Sequence, residues 1–311
     1  MKITFLFLLL FSLTKASLEA AFEIEELAAE ASSLNNAYSA LGDDPWAILY
    51  NPSQVMRLEG TQLSMGYSSP HPDFENLQAK LGSCILTRQI LDIGYGIGIL
   101  FTDTNLYYRE ITGLLNIGKK FGEKENRWDL TVGSNFKLLS LRRGDPLNST
   151  DPALNPITIN KFSGDLGLNL RIQKTYLGAS MQNILPANFG SSSKEKIPLE
   201  IRVGLGVKNI LEIEEFHLTL NPMLEVSHRN KDFTSQGALQ IKILDKAELN
   251  FGAGENNLSS GITLYLNRLK KGNILNSKKE TSAYKLTLSY EFPLNETSSE
   301  GSSLAGMTFV F

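Results

Sequence analysis

Tyr284-Lys-Leu-Thr-Leu-Ser-Tyr-Glu-Phe292, followed at the end of the chain by Ala305-Gly-Met-Thr-Phe-Val-Phe311, decides the fold. Tyr284, Leu286, Leu288, Tyr290 and Phe292 alternate with Lys285, Thr287, Ser289 and Glu291. Ala305, Met307, Phe309 and Phe311 share one face of the terminal run. In an extended chain successive side chains point to opposite faces, so each run presents one wholly apolar and one polar face. In water so large an aromatic and aliphatic face needs a second layer. In a bilayer the lipid covers it and the polar face turns to a lumen.

The pattern recurs upstream. Leu91, Ile93, Tyr95, Ile97, Ile99 and Phe101 alternate with a face carrying Gly94, Gly96 and Gly98. Leu166 to Ile172 opposes Gly167, Asn169 and Arg171, and Leu199 to Val207 opposes Glu200, Arg202, Gly204 and Gly206. Phe216, Leu218, Leu220, Leu224 and Val226 oppose Thr219, Asn221 and Glu225. A helix would scatter Arg171, Arg202 and Glu225 around its axis without a stripe. The runs predict about fourteen strands, an even number as bacterial barrels require. They fall near 61–69, 78–86, 90–103, 106–121, 127–143, 161–173, 175–185, 196–210, 216–229, 232–244, 246–256, 258–267, 282–292 and 301–311. Longer polar stretches at 144–160, 186–195, 268–281 and 293–300 are expected at one end, opposite the tight turns. The fold class is therefore all-β: a transmembrane antiparallel barrel, with Arg171, Arg202, Asn221, Glu225 and the three glycines facing the lumen.

Composition agrees. Of 311 residues 42% are hydrophobic and 20% charged, with net charge −3. A helical membrane protein would carry stretches of about 20 apolar residues. The one long apolar stretch, Ile3 to Leu13 after Lys2, is shorter and reads as the core of a signal peptide. Small residues at Ala16, Ser17, Ala20 and Ala21 offer cleavage sites, with the bond after Ala20 preferred. The chain thus divides into a signal peptide (1–20), an N-terminal segment (21–60) and the barrel (61–311). Cys84 stands alone and forms no intramolecular disulfide.

Residues 21–60 break the alternation. Ile24, Leu27, Ala28 and Ala31 follow helical spacing, and then comes Ala37-Tyr-Ser-Ala-Leu-Gly-Asp43-Asp44-Pro45-Trp46-Ala-Ile-Leu-Tyr50-Asn51-Pro52-Ser53. Each proline forces the residue before it out of the helical region. An apolar cluster with two rigid prolines ahead of the first strand needs something to pack on. Glycines on a strand face admit close approach by other groups. Asp43, Asp44, Pro45, Trp46, Tyr50, Asn51 and Pro52 are accordingly expected inside the barrel as a hatch. Asn51 should bond backbone or lumenal groups, and the two aspartates should meet a lumenal cation, Arg171 and Arg202 being the candidates.

This stretch resembles the N-terminal motif of FadL-like outer-membrane proteins, and more closely their PorV/PorQ branch, which runs AYxALADDxxAIxxNPA. Asn51-Pro52-Ser53 stands here where the branch has Asn-Pro-Ala. The runs YLGASMQNILP (176–186), IPLEIRVGLGVK (197–208) and LTLSYEFPL (286–294) resemble later parts of the same branch. The resemblance implies a fourteen-stranded barrel of the bacterial outer membrane with a lumenal hatch.

Catalytic signals are absent from the sequence. His71, His217 and His228 lack the spacing of a zinc site. The adjacent Ser227 and His228 point to opposite faces of a strand. Gly94-Tyr-Gly-Ile-Gly98 has its third glycine at the wrong place for a dinucleotide fingerprint. No enzyme activity, cofactor, metal or nucleic-acid partner is expected. The expected partners are outer-membrane lipid and either a hydrophobic small molecule or an exported protein. Three functions follow: passive uptake of hydrophobic or amphipathic molecules gated by the hatch, a PorV-like accessory barrel that binds or shuttles exported proteins in a secretion system, or a purely structural or surface-antigen barrel.

Overall fold

A computed structural model describes residues 22, 27–68, 79–104, 108–122, 127–144, 157–190, 196–213, 217–230, 232–244, 246–269, 282–294 and 302–311. The expected signal peptide (1–20), Phe216 and most of the long polar connections lie outside these residues.

Fifteen strand segments form one antiparallel sheet that closes on itself. They are β1 (Thr61–Ser68), β2 (Ala79–Ile90), β3 (Ile93–Thr104), β4 (Tyr108–Phe121), β5 (Trp128–Arg143), β6 (Ile157–Ile172), β7 (Thr175–Gln182), β8 (Glu200–Val207), β9 (Leu211–Ile213), β10 (Leu218–Arg229), β11 (Asp232–Ile243), β12 (Ala247–Gly254), β13 (Asn257–Leu269), β14 (Ser282–Pro293) and β15 (Ser302–Val310). β8 and β9 both pair with β10, so the ring has fourteen staves. The C-terminal strand closes it against β1, in register from Gln62 opposite Val310 to Ser68 opposite Leu304. Closure is what lipid demands, because an open edge there leaves backbone groups without partners.

The lipid face follows the alternation. Met65, Tyr95, Ile97, Phe136, Phe162 and Leu224 are exposed on the outside, whereas Asn135, Asp165, Asn169, Asn221 and Glu225 are buried within. On β5 the apolar outward positions run from Trp128 to Leu138, and on β6 from Ile172 back to Phe162. At about 3.3 Å per residue and the usual tilt this band is about 25 Å tall. Beyond it the outward residues turn polar, with Ser140, Arg142, Thr158 and Asn160, so this hairpin rises past the membrane. Leu168, in mid-band and 48% exposed, gives a first test. Leu168→Arg should lower stability in lipid vesicles by about 2–4 kcal/mol, measured by urea unfolding.

Three sequence expectations are corrected. The strand expected at 161–173 begins at Ile157, because Ile157 to Lys161 stay paired with β5 beyond the lipid band. The strand expected at 196–210 is interrupted. After Val207, β7 has ended and offers no further ladder, and Asn209 takes a left-handed turn with φ 52°. Finally, the connection from β13 to β14 lies at the end of the tight turns, not with the other long connections. In a meander, strand parity fixes the end at which each connection falls, whatever its length.

Candidate functional site in the barrel lumen

The lumen is filled by residues 27–58. This segment forms two short helices, α1 (Ala29–Ser33) and α2 (Ala47–Tyr50), and a 3-10 turn at Pro52–Met56. Helices this short satisfy few of their own carbonyls, and the wall supplies the missing donors. Asn135 Nδ2 donates to the Ile48 carbonyl at 2.9 Å. Gln182 Nε2 donates to that of Leu49 at 3.0 Å, and Ser180 Oγ to that of Tyr50 at 2.7 Å. Asn116 Nδ2 reaches the Pro52 carbonyl at 3.0 Å, and Asn169 Nδ2 the Ala40 carbonyl at 2.9 Å. Inward polar residues of β4, β5, β6 and β7 thus bond the backbone of the segment.

Asn51 is the pivot. It precedes a proline and is held extended, at φ −149° and ψ 108°. Its Oδ1 accepts from Ser53 N at 3.1 Å and Ser53 Oγ at 2.7 Å. Its Nδ2 donates to the carbonyls of Ser39 and Leu168, each at 2.9 Å. One buried side chain therefore uses its whole hydrogen-bonding capacity. Asn51 and Pro52 lie directly on the wall at Gly167 and Gly133. A Cβ at Gly133 would stand 2.4 Å from the Pro52 carbonyl group, and one at Gly167 2.1 Å from Asn51 Oδ1. Gly94 faces Val55 and Met56 in the same way, and Gly96 faces Ile48; Gly98 instead lies over Ile85 of the neighbouring strand.

Trp46 is fully buried, with Nε1 donating to Ser83 Oγ at 2.8 Å. Its ring rests against Gly306, where a Cβ would come within 2.4 Å. Asp44 starts the turn into α2, its Oδ1 accepting from Trp46 N at 3.0 Å. Tyr50 is buried under the Arg202 guanidinium, 5.2 Å from its ring centre, and donates from its hydroxyl to Asn36 at 2.7 Å.

Three ionic groups tie the segment to the wall. Asp129 accepts ion pairs from Arg57 of the segment, Arg171 at 2.5 Å and Lys120 at 3.5 Å. Arg202 pairs with Glu200 at 2.5 Å and Glu225 at 3.1 Å, and Glu225 also accepts from Ser39 N at 2.8 Å. Asp43 meets Lys285 at 2.6 Å and Lys242 at 2.8 Å. This corrects the expected partners of the aspartates. Arg171 and Arg202 do point inward, but each is spent on a wall carboxylate adjacent to it, and the cations at Asp43 are lysines. Burial opposes ionisation of Asp43, yet the two ammonium groups outweigh it and hold its carboxyl well below the usual range. Burial lowers the affinity of the Arg57 guanidinium for its proton, while Asp129 opposes that shift. Carboxylate oxygens of Glu30, Asp43 and Glu248 lie within 4.8 Å of one another, but the lysines already provide the positive charge there.

The segment threads the barrel from end to end. Gly60 lies beside Phe311 at the tight-turn end. At the opposite end the Phe22 backbone N donates to both oxygens of Glu110, at 3.1 and 3.0 Å. There Leu139, Leu141, Ala187, Phe189 and Ile197 form an apolar cluster joined by Phe22. The residues that sequence reasoning missed are Ser39, Arg57, Asp129, Lys242 and Lys285. The inward parity of the two lysines was readable; that they would meet Asp43 was not.

Residues 46–304 match the profile of the type IX secretion system membrane protein PorP/SprF. The chain belongs to the PorP/SprF family. No curated protein matches it significantly by sequence. This PorP/SprF barrel also resembles solved FadL-like barrels. It matches the P. putida toluene transporter TodX with a TM-score of 0.52 at 11% identity, over 93% of this chain and 98% of that one. The Ralstonia pickettii toluene transporter TbuX gives 0.54 at 12%, over 92% and 97%. The TodX deltaS2S3 mutant monoaromatic hydrocarbon channel gives 0.56 at 12%, over 93% and 98%. At these identities the likeness is one of fold. Family and fold together place this PorP/SprF protein in the bacterial outer membrane.

Proposed function

We propose that this protein serves type IX secretion as a plugged accessory barrel that engages exported proteins, with its lumenal segment as a fixed structural element. The observation that carries this reading is the density of buried polar bonds along residues 27–58. A gate must leave its seat. Leaving this one would take Arg57 from Asp129, Ser39 N from Glu225 and both lysines from Asp43, and strand five wall donors now bonded to segment carbonyls. Each buried polar group left unsatisfied costs about 1–3 kcal/mol. The PorV-like N-terminal motif supports a secretion role on the same side. Gated uptake of hydrophobic molecules is the second reading, favoured by the likeness to the toluene transporters.

A covalent lock separates the two. A Cβ at Gly204 would lie 3.2 Å from that of Ala40 and 2.4 Å from Ser39 Oγ, so the pair approaches disulfide geometry once that hydroxyl is removed. Ala40→Cys with Gly204→Cys and Ser39→Ala, in a Cys84→Ser background, should fix the segment to the wall. The oxidised barrel is expected to restore export of type IX substrates to a deletion strain as fully as the reduced one. Loss of export on oxidation, or toluene uptake that only the reduced form supports, would overturn the accessory reading in favour of a moving hatch.

A further inference from the structure

We infer that the outer face of β2 to β5, where it leaves the hydrocarbon band, binds a phosphorylated glycolipid of the outer leaflet. The inference starts from strand register. Asp103 of β3 stands opposite Lys80 of β2 and Arg109 of β4, and Arg109 stands opposite Arg142 of β5. The four residues form one row across neighbouring strands. Alternation turns the row outward, on the same face as Cys84, Phe101, Ile111 and Leu138. On each strand it is the first charged outward position past the apolar run, at the end of the barrel opposite the tight turns. Tight turns face the periplasm, so the row meets the outer leaflet.

The row carries more positive charge than the protein balances. Arg109 closes on Asp103 at 2.6 Å. Among the described residues Lys80 and Arg142 meet no carboxylate. Arg109 and Arg142 are directly opposed in the ladder, and like charges so placed repel. An anion between them removes that cost, and guanidinium groups bond phosphate oxygens in pairs. The cations are also local. Among the described residues no other strand has a lysine or arginine on its outer face at this end. A ring of cations would suit any anionic surface, whereas one quadrant suits one molecule. From Lys80 to Arg142 the row crosses three strand spacings, about 14 Å. That width calls for a broad sugar-phosphate headgroup.

An apolar groove lies next to the row. Met65, Tyr67, Cys84, Ile99, Phe101 and Ala305 line it, and Phe101 is two residues from Asp103 along β3. The Phe101 ring lies across Gly82, where a Cβ would come within 2.2 Å of it. The groove opens to the bilayer, so its occupant is a lipid chain, and the cations beside it select a lipid that carries phosphate.

Native mass spectrometry of the detergent-solubilised barrel, titrated with diphosphoryl lipid A, tests this. Lys80→Gln with Arg142→Gln removes two cations that hold no carboxylate in the protein, and should weaken binding by at least about tenfold. Arg88→Gln with Lys119→Gln removes the same charge from the outer face of β2 and β4 at the tight-turn end, and should leave binding unchanged. Dephosphorylated lipid A, with the same chains, should bind the wild type at least about tenfold more weakly than the intact lipid. Ala305→Phe fills the groove with an apolar side chain that lipid tolerates, and should weaken binding with every cation in place. Equal losses in the two double variants would mean attraction to charge alone and would overturn the assignment. So would undiminished binding in Lys80→Gln with Arg142→Gln or in Ala305→Phe, indifference to dephosphorylation, or displacement of lipid A by inorganic phosphate.

Discussion

Arg202→Met should cost the barrel about 3–5 kcal/mol, the range for removing one partner of a buried ion pair. Arg202 is wholly enclosed and its loss leaves Glu200 and Glu225 facing each other across β8 and β10 without a cation. Glu225 would still accept from Ser39 N, but a peptide N–H carries no net charge. Packing falls as well, since Tyr50 loses the guanidinium over its ring. Urea unfolding in vesicles should show the loss. A double variant, Arg202→Met with Glu225→Gln, should recover part of it because one buried charge goes too. A change under about 1 kcal/mol in the single variant would mean that water reaches these carboxylates, contrary to their burial.

Trp46→Ala should be as costly, at about 3–5 kcal/mol. The indole sits among Gly66, Gly306 and Ala29, and small residues on rigid strands cannot move inward to fill the void. The same substitution leaves Ser83 Oγ without the indole donor, though that hydroxyl still donates to the Leu27 carbonyl at 2.9 Å. Trp46→Phe should recover most of the stability, as it restores volume without the hydrogen bond. If Trp46→Ala proved neutral, the segment would contribute nothing to the stability of the barrel, and its many bonds to the wall would be incidental.

How much of this was legible in the sequence depends on the kind of interaction. Strand positions and faces were readable because lipid enforces alternation locally: Leu166 to Ile172 declares its outward side without reference to any neighbour. The seam between β1 and β15 followed from the need for closure. The segment could be placed inside from Trp46, Tyr50 and two prolines, and the glycines at 94 and 96 marked where it would touch. Its partners were not readable. Asp43 meets lysines some 200 residues away on β11 and β14, and that pairing depends on the height of each residue along the barrel axis. Parity says in or out; it says nothing of height. Arg202 was expected at the aspartates for this reason, whereas Glu225, on the neighbouring stave, claims it.

The passage of residues 22 to 60 from one mouth of the barrel to the other has a consequence for biogenesis. A segment that entered and left by the same mouth could be added to, or drawn from, a finished barrel. This one is strung through the ring as a cord through a bead. To thread a completed ring, its free end would have to be pulled along a bore that the segment itself fills. The ring is therefore expected to form around the cord, with the joint between β1 and β15 made last. The lumenal segment must be in place before β15 docks on β1, so two parts of the chain far apart in sequence complete the barrel in a single event. A compact domain fused ahead of residue 22 would remain on the far side of that closed ring, unable to pass back.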